Sequence, residues 1–336
     1  MNVKNPGVRG RSDQYQYAHA GDHTTRTAAN ALSLHRYLGA LGDPGRPGSL
    51  PRHRYRGFRD REERTFGTLW ATDARYLNDA QELTYGRPGF ADTLEKAAAS
   101  STTIVTDRLR ELAEDVRNGR FEYTVGSKVE KSRPYVTCFC TSGNLLSQWR
   151  GYGDGGGGYA IGFSSEAVKQ FITVDSNFLK TNPQFAVNPV TQPRKVHYGA
   201  DEAAHFLEAE TATITAGLQA VQDGTKTYPW PDTFRGVASK SLAQVKHEAF
   251  KEESEWRLIV NFGRIKDEHF RSGRIGLIPY RKLYFPITKS GEPSVSRIVV
   301  GPGGDRALRI ESLERLLEKI NSTGTEVIPS EAPFRG

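Results

Sequence analysis

The residues whose types and spacing best suit chemistry lie in the segment KHEAFKEESEWRLIVNF, where acidic side chains precede a hydrophobic strand. Glu253 and Glu255 form an E-x-E pattern at the start of this strand, and Arg257 follows two residues later. Because alternate residues of a strand face the same way, we predict that these side chains share one side. Two carboxylates this close resist joint ionisation unless Arg257 or Lys246 supplies positive charge. Such a cluster could perform acid–base chemistry, or it could be a structural ion network.

A glycine-rich segment, GYGDGGGG at residues 151–158, could contribute a second part of a site. It lacks the lysine of a phosphate-binding P-loop, and it precedes a strand, whereas a dinucleotide fingerprint follows one. We interpret it either as a plain loop or as the wall of a binding site, since glycine lets the backbone approach a ligand closely. The neighbouring rings of Trp149 and Tyr152 could stack on a ligand or pack in the core.

The thiols and hydroxyls of a third segment, CFCTS, are also chemically active groups. On a strand, Cys138 and Cys140 point to one face and Phe139 to the other, and we expect structural cysteines there. Thr141 and Ser142 end this strand, where their hydroxyls could cap the chain or contact a ligand. With only two Cys and no histidine spacing such as HExxH, the sequence predicts neither a disulfide framework nor a metal site.

Composition and charge limit the classes of protein to consider. The chain of 336 residues is 37% hydrophobic, which excludes a mainly disordered protein. No run approaches the roughly 18 apolar residues that span a bilayer, and no signal-peptide pattern opens the chain, so we predict a cytoplasmic protein without membrane contact. The net charge of +7 is moderate, but residues 46–64 hold seven arginines against three acids. This stretch is either a solvated edge or a surface that binds phosphates of RNA, DNA or a dinucleotide.

The elements that must position these residues alternate irregularly, and several strands carry aromatic side chains. We predict strands near residues 53–58, 68–72, 135–141, 159–163, 255–262, 275–277, 283–285, 298–300 and 326–328. We predict helices near residues 91–118, 201–222, 237–250 and 306–320, the first open to a break at residues 100–103. This pattern favours an α+β fold, with a mixed, largely antiparallel sheet core and flanking and inserted helices.

The chain divides into an arm and one domain. Residues 1–51 are polar and contain one short helix candidate, so we expect a mobile or strapped-down arm. Residues 52–336 are predicted to form a single α+β domain with a helical insertion at about residues 201–250.

Several blocks, taken in order, resemble a known bacterial family. The blocks are Tyr55-Arg56, Leu69-Trp70-Ala71-Thr72, Leu77-Asn78-Asp79, Cys138-Phe139-Cys140-Thr141, Trp149, Tyr152, Gly158, Ile161-Gly162-Phe163, Val196-His197-Tyr198, Glu255-Trp256-Arg257 and Ile298 to Gly301. Over about residues 52–305 the chain resembles the family named domain of unknown function 2971. It departs from that family at Cys140, where Ser is common, and in its longer glycine tract. The resemblance implies a bacterial protein and no established reaction.

A weaker resemblance, to ADP-ribosyltransferases of the R-S-E type, implies a reaction. Arg56, Thr141-Ser142 and Glu253-Ser254-Glu255 follow one another in the order of that pattern. The resemblance implies NAD as substrate, Glu255 as the carboxylate that stabilises the ribosyl cation, and Glu253 as the group that orients the acceptor or takes its proton. The implied cofactor-binding residues are Arg56, Tyr55, Ser142, Thr141, Trp149, Tyr152 and Arg257. Further candidates are Asn78, Asp79 and Lys246.

These observations leave three hypotheses. The first is an NAD-dependent ADP-ribosyltransferase-like enzyme of bacterial conflict or defence, with a protein or nucleic acid as acceptor. The second is a nucleic-acid-binding or nucleolytic protein that uses the arginine-rich stretch 46–64. The third is a non-enzymatic protein in which Glu253, Glu255, Arg257 and Arg56 form a buried ion network that fixes strand register.

Overall fold

The structure is a computed structural model that describes most of the chain. The described residues are 15–20, 66–79, 81–125, 128–131, 133–153, 157–174, 187–190, 192–226, 232–262, 268–273, 275–289 and 292–333. The predicted strand at residues 53–58 and the short helix of the arm lie outside these ranges.

The described strands follow one another in chain order and are numbered accordingly. They are β1 (Tyr15–Ala20), β2 (Phe66–Asp73), β3 (Glu122–Val125), β4 (Lys128–Lys131), β5 (Arg133–Cys140), β6 (Tyr159–Ser164), β7 (Ile172–Val174), β8 (Val187–Pro189), β9 (Arg194–Lys195), β10 (His197–Tyr198), β11 (Val245–Lys246), β12 (Glu255–Phe262), β13 (His269–Gly273), β14 (Gly276–Pro286), β15 (Thr288–Lys289), β16 (Glu292–Pro293), β17 (Val295–Val300) and β18 (Glu326–Pro329).

The described α-helices are α1 (Arg87–Ala99), α2 (Thr103–Asn118), α3 (Leu146–Tyr152), α4 (Ser165–Val168), α5 (Gly199–Gln222), α6 (Asp232–Leu242) and α7 (Arg306–Lys319). Short 3-10 helices span Ala74–Tyr76 and Glu248–Glu253. A proline in the first turn favours the start of α1, and Gly119 ends α2 in the left-handed region with φ of 67°. The break that we predicted at residues 100–103 is present between α1 and α2.

One large sheet organises the described residues. Its strand order is β18-β17-β6-β1-β5-β2-β14-β7-β8, while β12 pairs with β5 and β9, and β13 pairs with β14. The pairs within this sheet are antiparallel except for β17 with β18, which is parallel. Helices pack against it, so the predicted α+β class with a largely antiparallel core is confirmed.

The paired strands β5 and β12 separate two cores. Phe139 and Leu258 belong to a cluster of aromatic and aliphatic side chains on one face. Val136 and Ile259 belong to a second cluster on the other face, together with side chains of α1, α2, α5 and α6. Successive strand residues alternate between these clusters, as a strand buried on both faces requires.

Two sequence-based element predictions are wrong in detail. The helix predicted at residues 237–250 ends at Leu242, because the next residues pair as β11 in parallel with β10 and then turn through a 3-10 helix. Lys246 is therefore on a strand, where its neighbour Val245 is buried.

The two strands predicted at residues 275–277 and 283–285 are the single strand β14. The arm also contributes a strand, β1, which pairs with β5 and β6.

The aromatic cluster should dominate the stability of the first core. Phe163 is fully buried, with its ring centroid 5.1 Å from that of Phe285 and 5.5 Å from that of Phe171. We expect Phe163→Ala to lower the free energy of unfolding by about 3–5 kcal/mol in urea titrations, because it leaves a cavity among these rings. Phe270→Ala is the matched control, since Phe270 is 55% exposed. An equal loss in both variants would contradict the assignment of the core.

Candidate functional site

The end of β5 and the beginning of β12 form the floor of a polar cavity. Their register places Cys140 opposite Glu255 and Cys138 opposite Arg257, so these four side chains share the face that carries the helices. The cavity has a volume of about 50 Å³. Its polar lining comprises Asn78, Asp79, Cys138, Cys140, Gln148, Tyr152, Lys246, Glu253, Glu255 and Arg257.

Arg257 is the most buried charge in this region, with no exposed surface. Its Nη1 and Nη2 atoms donate to Glu82 Oε1 and Oε2 at 2.6 and 3.2 Å, in a fork that suits a carboxylate. Nη2 also donates to Glu255 Oε2 at 2.9 Å, and Nη1 donates to the carbonyl oxygen of Ala243 at 2.7 Å. The guanidinium therefore joins β12 to the end of α6 and to the turn that follows β2.

Lys246 is the second cation that lines the cavity, and it binds both carboxylates of the E-x-E pattern. Its Nζ donates to Glu253 Oε2 at 2.5 Å and to Glu255 Oε2 at 3.3 Å. The strand pair β10–β11 positions it, since Tyr198 lies beside Lys246 in the register. The hydroxyl of Tyr198 also accepts a hydrogen bond from the backbone N–H of Glu255 at 2.8 Å, which fixes the start of β12.

Glu253 reaches this cavity by a route that strand periodicity does not describe. It ends the 3-10 helix, and Ser254 follows in the left-handed region with φ of 44°. The prediction that Glu253 and Glu255 share a side through period-two spacing is therefore wrong in its mechanism, although both bind Lys246. Arg257 does lie on the same side as Glu255, two residues along the strand.

The two carboxyls have pKa values that move in opposite directions. Burial alone would raise the pKa of Glu255, but Arg257 and Lys246 outweigh it and lower this pKa to about 2. Burial raises the pKa of Glu253 above its ordinary value, against the opposing effect of Lys246. Burial also raises the pKa of Glu82, although the positive charge of Arg257 acts in the opposite direction. Glu255 is thus the carboxyl of the pair that stays ionised, and Glu253 is the one that binds a proton more readily.

The thiols are held neutral. Burial raises the pKa of Cys138, whose thiol donates a hydrogen bond to Glu255. Burial also raises the pKa of Cys140 to about 12, and its Sγ–H donates to the carbonyl oxygen of Ser142 at 3.0 Å. Neither cysteine is part of a disulfide. A neutral thiol is a weak nucleophile, so these residues are suited to packing and hydrogen bonding.

The structure brings together some of the predicted site residues and separates others. Asn78, Asp79, Tyr152, Lys246, Glu253, Glu255 and Arg257 all line the cavity. Thr141 and Ser142 line a different depression, together with Asn144 and Arg297. Trp149 is fully buried, and its Nε1 donates to Asn144 Oδ1 at 3.0 Å. Tyr55, Arg56 and the arginine-rich stretch 46–64 lie outside the described residues.

Sequence analysis missed three contributors, Glu82, Gln148 and Tyr198. Glu82 is 175 positions from its partner Arg257, and no local pattern connects them. Gln148 lies four residues before Tyr152 on α3, so helical spacing from a candidate ring could have found it.

In the described part of the chain, no group of three or more His, Cys, Asp or Glu side chains could hold a metal ion. None of the described helices combines the length and the apolar character required to cross a bilayer.

Comparison with protein families gives one match. The model described as protein of unknown function DUF2971 matches residues 148–258. The DUF2971 match covers about a third of the chain and includes Gln148, Tyr152, Lys246 and the strand start at Glu255. Comparison with the curated proteins and with the solved structures gave no match. The likeness to ADP-ribosyltransferases therefore rests on the order of a few residues.

The buried fork between Glu82 and Arg257 should matter for stability. We expect Glu82→Gln to lower the free energy of unfolding by about 3–5 kcal/mol, because it leaves a buried guanidinium undercompensated. The matched control is Glu166→Gln, which removes an exposed ion pair with Lys169 and should change stability by at most about 1 kcal/mol. Chemical unfolding of both variants measures the difference. Equal effects would contradict the burial of this pair.

The lowered pKa of Glu255 predicts a pH dependence of stability. A carboxyl whose folded pKa is lowered stabilises the protein above its ordinary pKa, and this contribution is lost as pH falls through about 2. The contribution is on the order of 3 kcal/mol for a shift of this size. We expect the stability difference between the wild type and Glu255→Gln to shrink between about pH 6 and pH 3 in urea titrations. A difference that stays constant over this range would contradict the lowered pKa.

Proposed function

We propose that this chain is an enzyme that acts on a glycosidic bond, with the nicotinamide–ribose bond of NAD as the first candidate. The observation that supports this proposal is the pair Glu253 and Glu255, which share the ammonium of Lys246 while their pKa values move apart. Two neighbouring carboxyls with diverging pKa values are typical of sites that divide a reaction between an anion and a proton carrier.

The chemistry requires a negative charge near the ribose. When the bond between C1′ and the nicotinamide nitrogen breaks, both electrons leave with neutral nicotinamide, and positive charge builds on the sugar. Glu255, kept anionic by Arg257, would stabilise that charge. The acceptor then forms the new bond to C1′, and its proton passes to the carboxylate of Glu253.

The size and lining of the cavity limit which part of a substrate can enter. About 50 Å³ corresponds to space for a few water molecules, so one small polar substituent of a substrate can enter, while its ring and the rest of a dinucleotide cannot be enclosed. Asn78 and Gln148 can hydrogen-bond to that substituent, and the aromatic side chains of Tyr152 and Phe250 also line the space. The rest of the substrate would remain outside the cavity, and the sequence-based candidate for binding its pyrophosphate is Arg56.

Replacement of each carboxylate should separate the two roles. With NAD as substrate, we expect Glu255→Gln to lower the rate of nicotinamide release by about 100-fold or more, because it removes the charge that stabilises the ribosyl cation. Glu253→Gln should slow acceptor transfer and remove one limb of the pH–rate profile. Nicotinamide release is measured by chromatography from the pure full-length chain.

The control for both changes is Glu252→Gln, since Glu252 is exposed and next to Glu253 in sequence. It should retain the wild-type rate. A wild-type protein that does not release nicotinamide from NAD, or full activity in Glu255→Gln, would contradict the proposed reaction.

A structural role is the second candidate, and a specific observation favours it. Arg257 is fully buried, and Glu82 and Glu255 compensate its charge, as in an ion network that fixes strand register. This role predicts that Glu255→Gln lowers the melting temperature equally with and without NAD. The enzymatic role predicts instead that NAD raises the melting temperature of the wild type.

A further inference from the structure

One carboxylate oxygen of Asp79 is buried and unsatisfied. The side chain lines the polar cavity, and only 8% of the residue is exposed. Oδ1 accepts a hydrogen bond from the backbone N–H of Gln81 at 2.8 Å. Oδ2 accepts no hydrogen bond from any of the described residues. Because buried carboxylate oxygens are normally satisfied, a bound molecule with a hydrogen-bond donor would complete this part of the cavity.

The charged cluster at the cavity contains more carboxyls than cations. Within the described ranges its cations are Lys246 and Arg257, and both pair with glutamates. These three glutamates and Asp79 make four carboxyls. A ligand with a further negative charge would be repelled. One added positive charge would leave the cluster no more than neutral, even with one carboxyl protonated.

The volume of the cavity limits a ligand to a very small head group. A cavity of about 150 Å³ holds benzene, so about 50 Å³, a third of that volume, encloses roughly two non-hydrogen atoms. An ammonium nitrogen and the methylene group next to it are of this size. Asn78 lines the cavity and is exposed, so the rest of a linear ligand can leave the cavity on that side.

Lys246 shows how the walls of this cavity bind an ammonium group. Its Nζ forms ion pairs with the carboxylates of Glu253 and Glu255, and it lies 4.5 Å from the centre of the Phe250 ring. The face of an aromatic ring attracts a cation, as a carboxylate does. The cavity thus offers a second ammonium the same kinds of partner, with Asp79 as the carboxylate that has no cation yet.

We propose that the cavity binds the terminal ammonium of an unbranched primary alkylamine, either a free amine or the side chain of a lysine, and that this ammonium donates a hydrogen bond to Asp79 Oδ2. The side-chain oxygens of Asn78 and Gln148, which also line the cavity, can accept its other N–H groups. An ammonium fits better than a metal ion, because no group of the described residues could hold a metal. Binding of the amine does not depend on the proposed reaction, since it follows from charge, volume and the unsatisfied oxygen alone.

The experiment compares ligands that share a butyl chain and differ in their head group. Butylamine is protonated at about pH 7.5, butanol is neutral, and butyltrimethylammonium is charged but larger and without N–H groups. Binding of each to the pure full-length chain is measured by calorimetry. We expect butylamine to bind at least about tenfold more tightly than either of the others, because hydrogen bonds between charged groups are the stronger ones and the trimethylated head exceeds the cavity.

Replacement of Asp79 tests the role of its unsatisfied oxygen. Asp79→Asn removes the charge and keeps an oxygen that can accept from the backbone N–H of Gln81. We expect this variant to bind butylamine at least about tenfold more weakly, with little change for butanol. Glu252→Gln is the matched control, because it removes an exposed carboxylate next to Glu253 in sequence, and it should keep the wild-type affinity.

The wild-type protein alone can overturn the proposal. It is wrong if butylamine does not bind detectably, or if it binds no more tightly than butanol or butyltrimethylammonium. Unchanged affinity for butylamine in a folded Asp79→Asn protein also overturns it. Where butylamine binds as expected, titration with lysine blocked at its amino and carboxyl groups identifies the source of the ammonium: tighter binding supports a lysine side chain, and weaker binding supports a free alkylamine. None of these titrations contains NAD, so their outcome is independent of the proposed reaction.

Discussion

The fold of this chain depends on how it accommodates one buried guanidinium. A charge with no exposed surface is strongly destabilising unless hydrogen bonds and opposite charges compensate it, and Arg257 has both. Its partners come from three separate parts of the chain: Glu82 after β2, Ala243 after α6, and Glu255 on β12. Because each partner has to be in place, the guanidinium links the sheet to the helices that cover this face. The position of Glu255 consequently depends on the packing of all three of these parts of the chain.

The same compensation sets the chemistry of the cavity. Glu255 is kept anionic because two cations contact it in a place with little water, where their effect on its pKa is large. Among the residues that the structure describes, Glu253 forms an ion pair with Lys246 alone; it is more exposed than Glu255, and burial raises its pKa. Both carboxylates already have cationic partners in the structure. A site of this kind is preorganised, which is the condition under which charges stabilise a transition state most effectively.

Sequence patterns predicted those parts of the fold whose causes are local. Segments rich in β-branched, aromatic and other apolar residues predicted β5, β6 and β12, and the break at the serines and threonines between α1 and α2 was visible in the sequence. The predicted helix at residues 237–250 was wrong because the segment has helical composition, yet its backbone pairs with β10. The E-x-E pattern located one half of the site. Glu82 could not be found in this way, since its partner is 175 positions away and only the folded sheet brings them together.

Charge balance and backbone geometry support the proposal that the cluster does more than hold strands in register. Within the described ranges, Arg257 and Lys246 carry two positive charges in this cluster, and Glu82 and Glu255 already supply two negative charges. The carboxylate of Glu253 is therefore not needed to neutralise these two cations, yet it pairs with Lys246. The next residue, Ser254, has a left-handed backbone conformation. Leu83, beside Glu82, is also left-handed, with φ of 64°. Such backbone is costly for residues other than glycine and concentrates at functional sites. The left-handed turn at Ser254 and the buried carboxylate of Asp79 are features that the register-fixing role does not explain, and they support the proposed reaction.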